Sequence, residues 1–176
     1  MANFCTVEQA TTTTRTPHPS LKDYETSMYD SAENYLENLS QNSNYLSKSL
    51  KLNLPALEAL EHFKMVNKPT ISFRDYLQRF RELGKISSID VISSLVLLKR
   101  VHGKGLTNRR TIFKQFLTCL YISTKFNNDL DFWNLTTFAA LAGIKAANLE
   151  KYERVMLCDL LEWDTMVSLE DVFDIV

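Results

Sequence analysis

Residues that interrupt helices are scarce in this chain. Of its 176 residues, 4 are glycine and 4 are proline, whereas 45% are hydrophobic and 11% are aromatic. No stretch alternates apolar and polar residues as a half-buried strand does, while many place apolar residues three and four positions apart. The sequence therefore predicts an all-α protein, long enough for one domain with a substantial core.

Several kinds of functional site are also missing. Cys5, Cys119 and Cys158 are odd in number and widely spaced, which argues against a disulfide framework or a zinc site and fits a reducing compartment. The histidines form no metal-spaced set, and we find no phosphate-binding loop, nucleophile elbow or paired-cysteine motif. We therefore expect no enzymatic activity, no metal and no cofactor.

Membrane and export signals are absent from the sequence as well. No apolar run approaches the ~18 residues that suggest a membrane span. The start of the chain lacks the charged and then apolar pattern of a signal peptide. We expect an intracellular protein of the nucleus, the cytoplasm or both, with no membrane partner.

Composition divides the chain into four parts. Residues 1–30 are polar and include a run of four threonines, which predicts a disordered leader. Residues 31–68 carry scattered apolar residues and predict short flanking helices. Residues 69–168 predict five helices joined by short loops, as in an orthogonal bundle. Residues 169–176 predict a final helical turn.

Helix boundaries within the predicted bundle follow from capping residues. Gly84 fits the C-terminal cap of the first helix. Ser87 or Ser88 fits the N-terminal cap of the second. Thr107 or Asn108 is expected to start a long third helix, which is apolar over most of its circumference and should lie at the centre of the bundle.

Charge is unevenly distributed, although the net charge is only −1. Residues 91–128 contain no acidic residue, and acidic residues predominate after them. A basic stretch of this kind indicates either a surface for acidic or phosphorylated targets or an ordinary solvated helix face. The candidate residues for such a surface are Arg100, Lys104, Arg109, Arg110 and Lys114.

A lysine and a glutamate on separate predicted helices form the second candidate site. Lys125 ends an apolar helix and is followed at once by Phe126, and Glu153 lies on the face of the last bundle helix. One cation and one anion among apolar residues suit the capture of a partner's helix better than chemistry on a small molecule. The alternatives are a snorkelling lysine at a helix end and a surface acid.

The order and spacing of several motifs resemble the cyclin box, and most closely that of the phosphate-pathway and U-type cyclins of fungi, plants and protists. Residues 69–79 resemble that group's opening "P-x-I-S-I-x-x-Y-L-x-R-I". Residues 124–129 resemble its "A-x-K-F-x-x-D", and residues 142–144 its "G-G-I". Residues 148–153 and 161–168 resemble its "E-L-N-x-L-E" and its closing "L-L-D-F-x-L-x-V-S". The sequence departs at Lys99-Arg100, where the family has Asp-Arg.

The resemblance implies a single cyclin box at residues 69–168 and a non-catalytic subunit that binds and activates a cyclin-dependent kinase. It implies that Lys125 and Glu153 contact the mobile helix near the kinase's ATP site. Phe126 and Leu157 would add apolar contact, unless they are ordinary core residues. One residue is added after Glu153 relative to the family. Kinase substrates or inhibitors are further expected partners.

In another interpretation the chain has the same fold but does not bind a kinase. The chain would then be an adaptor or scaffold that binds proteins or nucleic acid through its basic stretch. The stretch has few aromatic residues for base stacking and no readout motif, so we do not expect nucleic acid as the partner.

Overall fold

The computed structural model describes residues 21–42, 54–67, 69–128 and 134–175. Within these ranges the chain forms helices, one π-helical turn and no strand, which confirms the predicted all-α fold. The helices are α1 (Leu21–Asn42), α2 (Leu54–Phe63), α3 (Phe73–Gly84), α4 (Ser88–Gly103), α5 (Ile112–Asn127), α6 (Leu135–Ala142), α7 (Ala146–Val155) and α8 (Leu169–Phe173). Helices α3 to α7 form the five-helix bundle that the sequence predicts.

Helix α5 lies at the centre of the bundle. It packs against α2, α4 and α7, and its residues from Gln115 to Thr124 are buried around the whole circumference. A helix buried on all sides needs apolar or small side chains all round, and this is the pattern of its sequence. Only the last turn, from Lys125 onward, is exposed at the surface.

Helix α1 begins within the predicted leader. The leader was expected to reach residue 30, but the helix starts at Leu21 and continues to Asn42, while residues 1–20 lie outside the described part of the chain. Leu36 is fully buried, and the Arg74 Nε–Glu33 Oε1 distance is 2.9 Å. Helices in proteins are stabilised mostly by tertiary packing, and the partners of α1 are distant in sequence. The local sequence pattern alone therefore predicts a shorter helix than the one that forms.

Two capping predictions have different outcomes. The left-handed residue after α3 is Lys85, with φ 49°, and not Gly84. Gly84 instead allows close packing, since a Cβ there would lie 2.8 Å from Leu141 Cδ2. The predicted cap of α4 is confirmed for Ser87, whose side chain accepts a hydrogen bond from Asp90 N.

The third bundle helix starts later than expected. Helix α5 begins at Ile112, because Asn108 caps a preceding turn and not the helix itself. The Asn108 Oδ1 atom accepts a hydrogen bond from Arg110 N at 2.9 Å. The Asn108 carbonyl accepts from Thr111 N and Ile112 N.

The chain continues from α7 into a π-helical turn. This turn spans Met156–Leu160 and follows α7 directly. Leu161 N donates to Met156 O at 2.8 Å, five residues back. A π-helical turn absorbs one extra residue without ending the helix, so Met156, Leu160 and Leu161 all remain buried.

The described residues include neither a membrane-spanning helix nor a cluster of metal ligands. No helix there combines the length and hydropathy needed to cross a membrane. No group of three or more His, Cys, Asp or Glu side chains in the same ranges is arranged to hold a metal ion.

Candidate functional site

Lys125 and Glu153 are brought into direct contact. Lys125 lies in the last turn of α5 and Glu153 near the end of α7, and these two helices pack against each other. Lys125 Nζ is 2.6 Å from Glu153 Oε1. The lysine side chain is 49% exposed and the glutamate side chain 16% exposed, so the pair lies at the rim of the core with its cation toward solvent.

The surroundings of the pair keep the lysine charged. Burial opposes the charge of the Lys125 ammonium, but the hydrogen bond and negative charge of Glu153 outweigh it and raise the lysine pKa above its ordinary value. The ammonium also lies 5.3 Å from the ring centroid of Tyr121. The ring of Tyr121 packs against Phe138 with centroids 4.9 Å apart. The lysine of the pair therefore lies over a ring of α5 that is packed against a ring of α6.

Phe126 and Leu157 lie beside the pair, each in a different groove. Leu157 is half-buried in the π-helical turn and lines the α7 groove, a depression of about 520 Å³. Phe126 is 61% exposed and lines the α4 groove, of about 370 Å³. The α7 groove includes Glu153, Arg154, Leu157, Cys158 and Trp163. The α4 groove includes Ile89, Ser93, Ser123, Phe126, Met166 and Leu169.

Sequence reasoning missed the exposed apolar residues around these grooves. Ile89, Trp163, Met166 and Leu169 all expose large parts of their apolar side chains. Apolar surface of this kind, clustered beside a polar pair, is typical of a protein–protein interface. For Trp163, Met166 and Leu169 the sequence signal is that apolar residues continue after Leu161, beyond the last helical repeat.

Arg100 and Lys104 contact the chain's own C-terminal segment. The guanidinium of Arg100 donates to Asp164 O and Oδ1, to Met166 O and to Asp171 Oδ2, at 2.7–3.0 Å. Lys104 Nζ donates to Leu160 O at 3.0 Å and to Glu162 Oε1 at 2.9 Å. The acidic residues near the end of the chain therefore neutralise the basic end of α4.

Replacing Arg100 with alanine is expected to loosen residues 164–171, because their carboxylates and two carbonyls lose a common donor. Amide hydrogen exchange should accelerate there by roughly tenfold, equivalent to about 1.4 kcal/mol. The matched control is Lys99→Ala, which removes only the exposed Lys99–Asp174 pair at 3.3 Å. Equal exchange in the two variants would contradict this role of Arg100.

Arg109, Arg110 and Lys114 lie on a different surface. Arg109 Nε donates to Ser40 O at 3.0 Å, and Lys114 Nζ donates to Lys64 O at 2.8 Å. Among the described residues, the Arg110 side chain has neither a hydrogen bond nor an ion pair. The predicted basic surface is thus divided, since Arg100 and Lys104 are occupied and only the arginines at 109 and 110 face a groove.

This arginine groove is a depression of about 730 Å³. Its walls come from residues 65–67 and 69–73, from the end of α1 and from Arg109 and Arg110. Phe73 and Phe113 form its apolar base, with stacked rings 3.9 Å apart. The groove combines an aromatic floor with cationic edges.

Comparison with known proteins identifies the family of the chain. The family model described as Cyclin matches residues 8–164. The chain is also similar to Cyclin-U1-1 of Arabidopsis thaliana, with 29% identity over 114 residues, or 63% of this chain. The match covers 53% of the relative, so the chain aligns with about half of that protein's length. The predicted resemblance is confirmed, and the chain belongs to the cyclin family.

Proposed function

We propose that this chain is the regulatory subunit of a cyclin-dependent protein kinase and activates it by binding. The observation that carries the proposal is the Lys125–Glu153 pair, formed at 2.6 Å on a surface bordered by two apolar grooves. A preformed pair needs no rearrangement when a partner binds, so little binding energy is lost in ordering it.

The two charges complement the polar groups of a helix from the kinase. Glu153 can accept backbone N–H groups at a helix start, where the helix dipole favours negative charge. Lys125 can donate to exposed carbonyls or to a carboxylate of the same helix. Phe126 and Leu157 then bury apolar surface on either side of these polar contacts.

Activation follows from differential binding. A chain that holds the mobile helix in one orientation stabilises the kinase conformation in which the kinase's own lysine–glutamate pair forms and positions ATP. All catalytic groups in this scheme belong to the kinase. The chain supplies affinity for the active conformation and no reacting atom.

Reconstitution with a cyclin-dependent kinase from the same cells tests the proposal. We expect a complex with one copy of each protein and a large increase in phosphorylation rate when the chain is added. A stable complex without activation would favour the adaptor interpretation. No complex at micromolar concentrations of both proteins would contradict the proposal.

We also propose that the arginine groove helps to select substrates. Its aromatic floor suits an apolar side chain, while Arg109 and Arg110 suit an adjacent carboxylate or phosphate. This role concerns only the two arginines that face the groove. Arg100 and Lys104 are engaged by the C-terminal segment.

Reversing charge with Arg109→Glu/Arg110→Glu is expected to raise the complex's KM for acidic or phosphorylated peptides by at least about tenfold. Each charge-assisted hydrogen bond contributes about 1.5–3 kcal/mol, and 1.4 kcal/mol corresponds to tenfold. The KM for a neutral peptide and the affinity for the kinase should not change. The control is Lys85→Glu/Lys145→Glu, two exposed lysines outside the groove. An equal effect of both double variants would contradict groove recognition.

A further inference from the structure

Asp90 is a buried carboxylate at the start of α4. Only 2% of the surface of Asp90 is exposed to solvent. Asp90 Oδ2 accepts hydrogen bonds from Ser87 N at 3.1 Å and from Ser87 Oγ at 2.7 Å. These bonds complete a capping box, which uses one of the two carboxylate oxygens.

The other oxygen binds the end of a different helix. Asp90 Oδ1 accepts from Asn127 Nδ2 at 3.0 Å and from Asn128 Nδ2 at 3.4 Å. The same Asn127 amide lies 3.4 Å from Ser93 Oγ, and the Asn128 amide donates to Thr124 O at 3.0 Å. One buried carboxylate therefore joins the start of α4 to the end of α5.

The two asparagines directly follow the residues proposed to meet the kinase. Lys125 and Phe126 lie in the last turn of α5, where backbone carbonyls lack helical partners and helix ends fray. Phe126 is mostly exposed and has little packing of its own to fix it. In the described part of the chain, the side-chain amides of Asn127 and Asn128 tie the end of this turn to Asp90.

We infer that Asp90, Asn127 and Asn128 form a polar lock that positions Lys125 and Phe126 for kinase binding. The inference rests on the proposed function, because it concerns the same surface. All three are positioning residues in this scheme, acting through Lys125 and Phe126. The apparent Kd for the kinase equals the intrinsic Kd divided by the fraction of chains in which this turn has the binding-competent arrangement. A variant with a smaller competent fraction therefore binds the kinase more weakly.

Asn127→Ala/Asn128→Ala tests the lock while leaving the capping box intact. Both asparagines are exposed residues, so the variant should fold. We expect kinase affinity to fall about tenfold, as when the competent fraction falls to one tenth. Amide exchange in residues 124–128 of the free chain should accelerate. The control is Ser87→Ala, which weakens the cap but keeps the α5 contacts, and its affinity should stay within about twofold of wild type.

An exchange of partners gives a second, sharper test. Asn127→Asp places a carboxylate against Asp90 and should weaken kinase binding at least as much as alanine does. Adding Asp90→Asn should restore much of the affinity, because an amide can still accept from Ser87 and now donates to the new carboxylate. A merely structural role would predict no such recovery in kinase affinity.

The outcomes separate the inference from the proposed function. If wild type binds the kinase and Asn127→Ala/Asn128→Ala binds equally well, the lock is overturned and the proposed function stands. If the alanine variant binds weakly and the exchanged pair recovers, the lock is supported. If wild type binds no cyclin-dependent kinase, both the lock and the proposed function are overturned.

Discussion

Replacing Lys125 or Glu153 with alanine is expected to weaken kinase binding by about 2–5 kcal/mol, the usual cost of removing one partner of a desolvated polar pair. The two variants should differ in stability. Lys125→Ala leaves a carboxylate that is only 16% exposed without its cation, whereas Glu153→Ala leaves an ammonium that water can reach. We therefore expect Lys125→Ala to lower the free energy of unfolding more than Glu153→Ala.

Calorimetric titration of the kinase with each variant and with the double variant measures this effect. Because the side chains form one unit, the loss in the double variant should be smaller than the sum of the single losses. Glu58→Ala and Lys85→Ala are the controls, since both residues are exposed and line neither of the two grooves beside the pair. A folded double variant that binds and activates the kinase at wild-type strength would contradict the assignment.

Phe138→Ala is expected to lower the free energy of unfolding by about 3–5 kcal/mol, as do other substitutions of buried phenylalanine. The side chain is fully buried, and its ring lies 5.3 Å from that of Phe80 and 4.9 Å from that of Tyr121. Loss of the Phe138 ring would therefore leave a cavity between α3, α5 and α6. This cavity would lie beside Tyr121, the ring that contacts Lys125.

Denaturant unfolding followed by circular dichroism measures the loss. Thr136→Ala serves as the control, because it removes an exposed side chain from the same helix and should change stability by less than about 0.5 kcal/mol. A loss below about 1 kcal/mol for Phe138→Ala would contradict the placement of this residue in the core.

Much of the fold is predictable from local pattern. The scarcity of glycine and proline, together with apolar residues at helical spacing, predicts α3 to α7, and the Ser-x-x-Asp pattern at Ser87 predicts the start of α4. Helix α1 is harder to predict, since Tyr29, for example, donates to the carbonyl of Ile86 in a distant part of the chain. The role of Gly84 is also predicted wrongly from the sequence, because this glycine allows close packing against Leu141 and does not cap the helix.

The candidate site is likewise only partly predictable from the sequence. The resemblance to the cyclin box selects Lys125 and Glu153 as a pair, but their direct contact at 2.6 Å is visible only in the folded chain. The Asp90 lock does not follow from the resemblance, because a capping pattern indicates only the bonds to Ser87 and says nothing of Asn127. The basic stretch is misleading as a single surface, since the carboxylates that neutralise Arg100 approach only when the C-terminal segment folds across α4.

One measurement tests the central claim most directly: the phosphorylation rate of a purified cyclin-dependent kinase from the same cells, titrated with this chain and with Lys125→Ala/Glu153→Ala. The account predicts saturable activation by the wild-type chain, and a titration curve for the double variant displaced to much higher concentration. A kinase whose rate is unchanged by saturating wild-type chain would contradict the account.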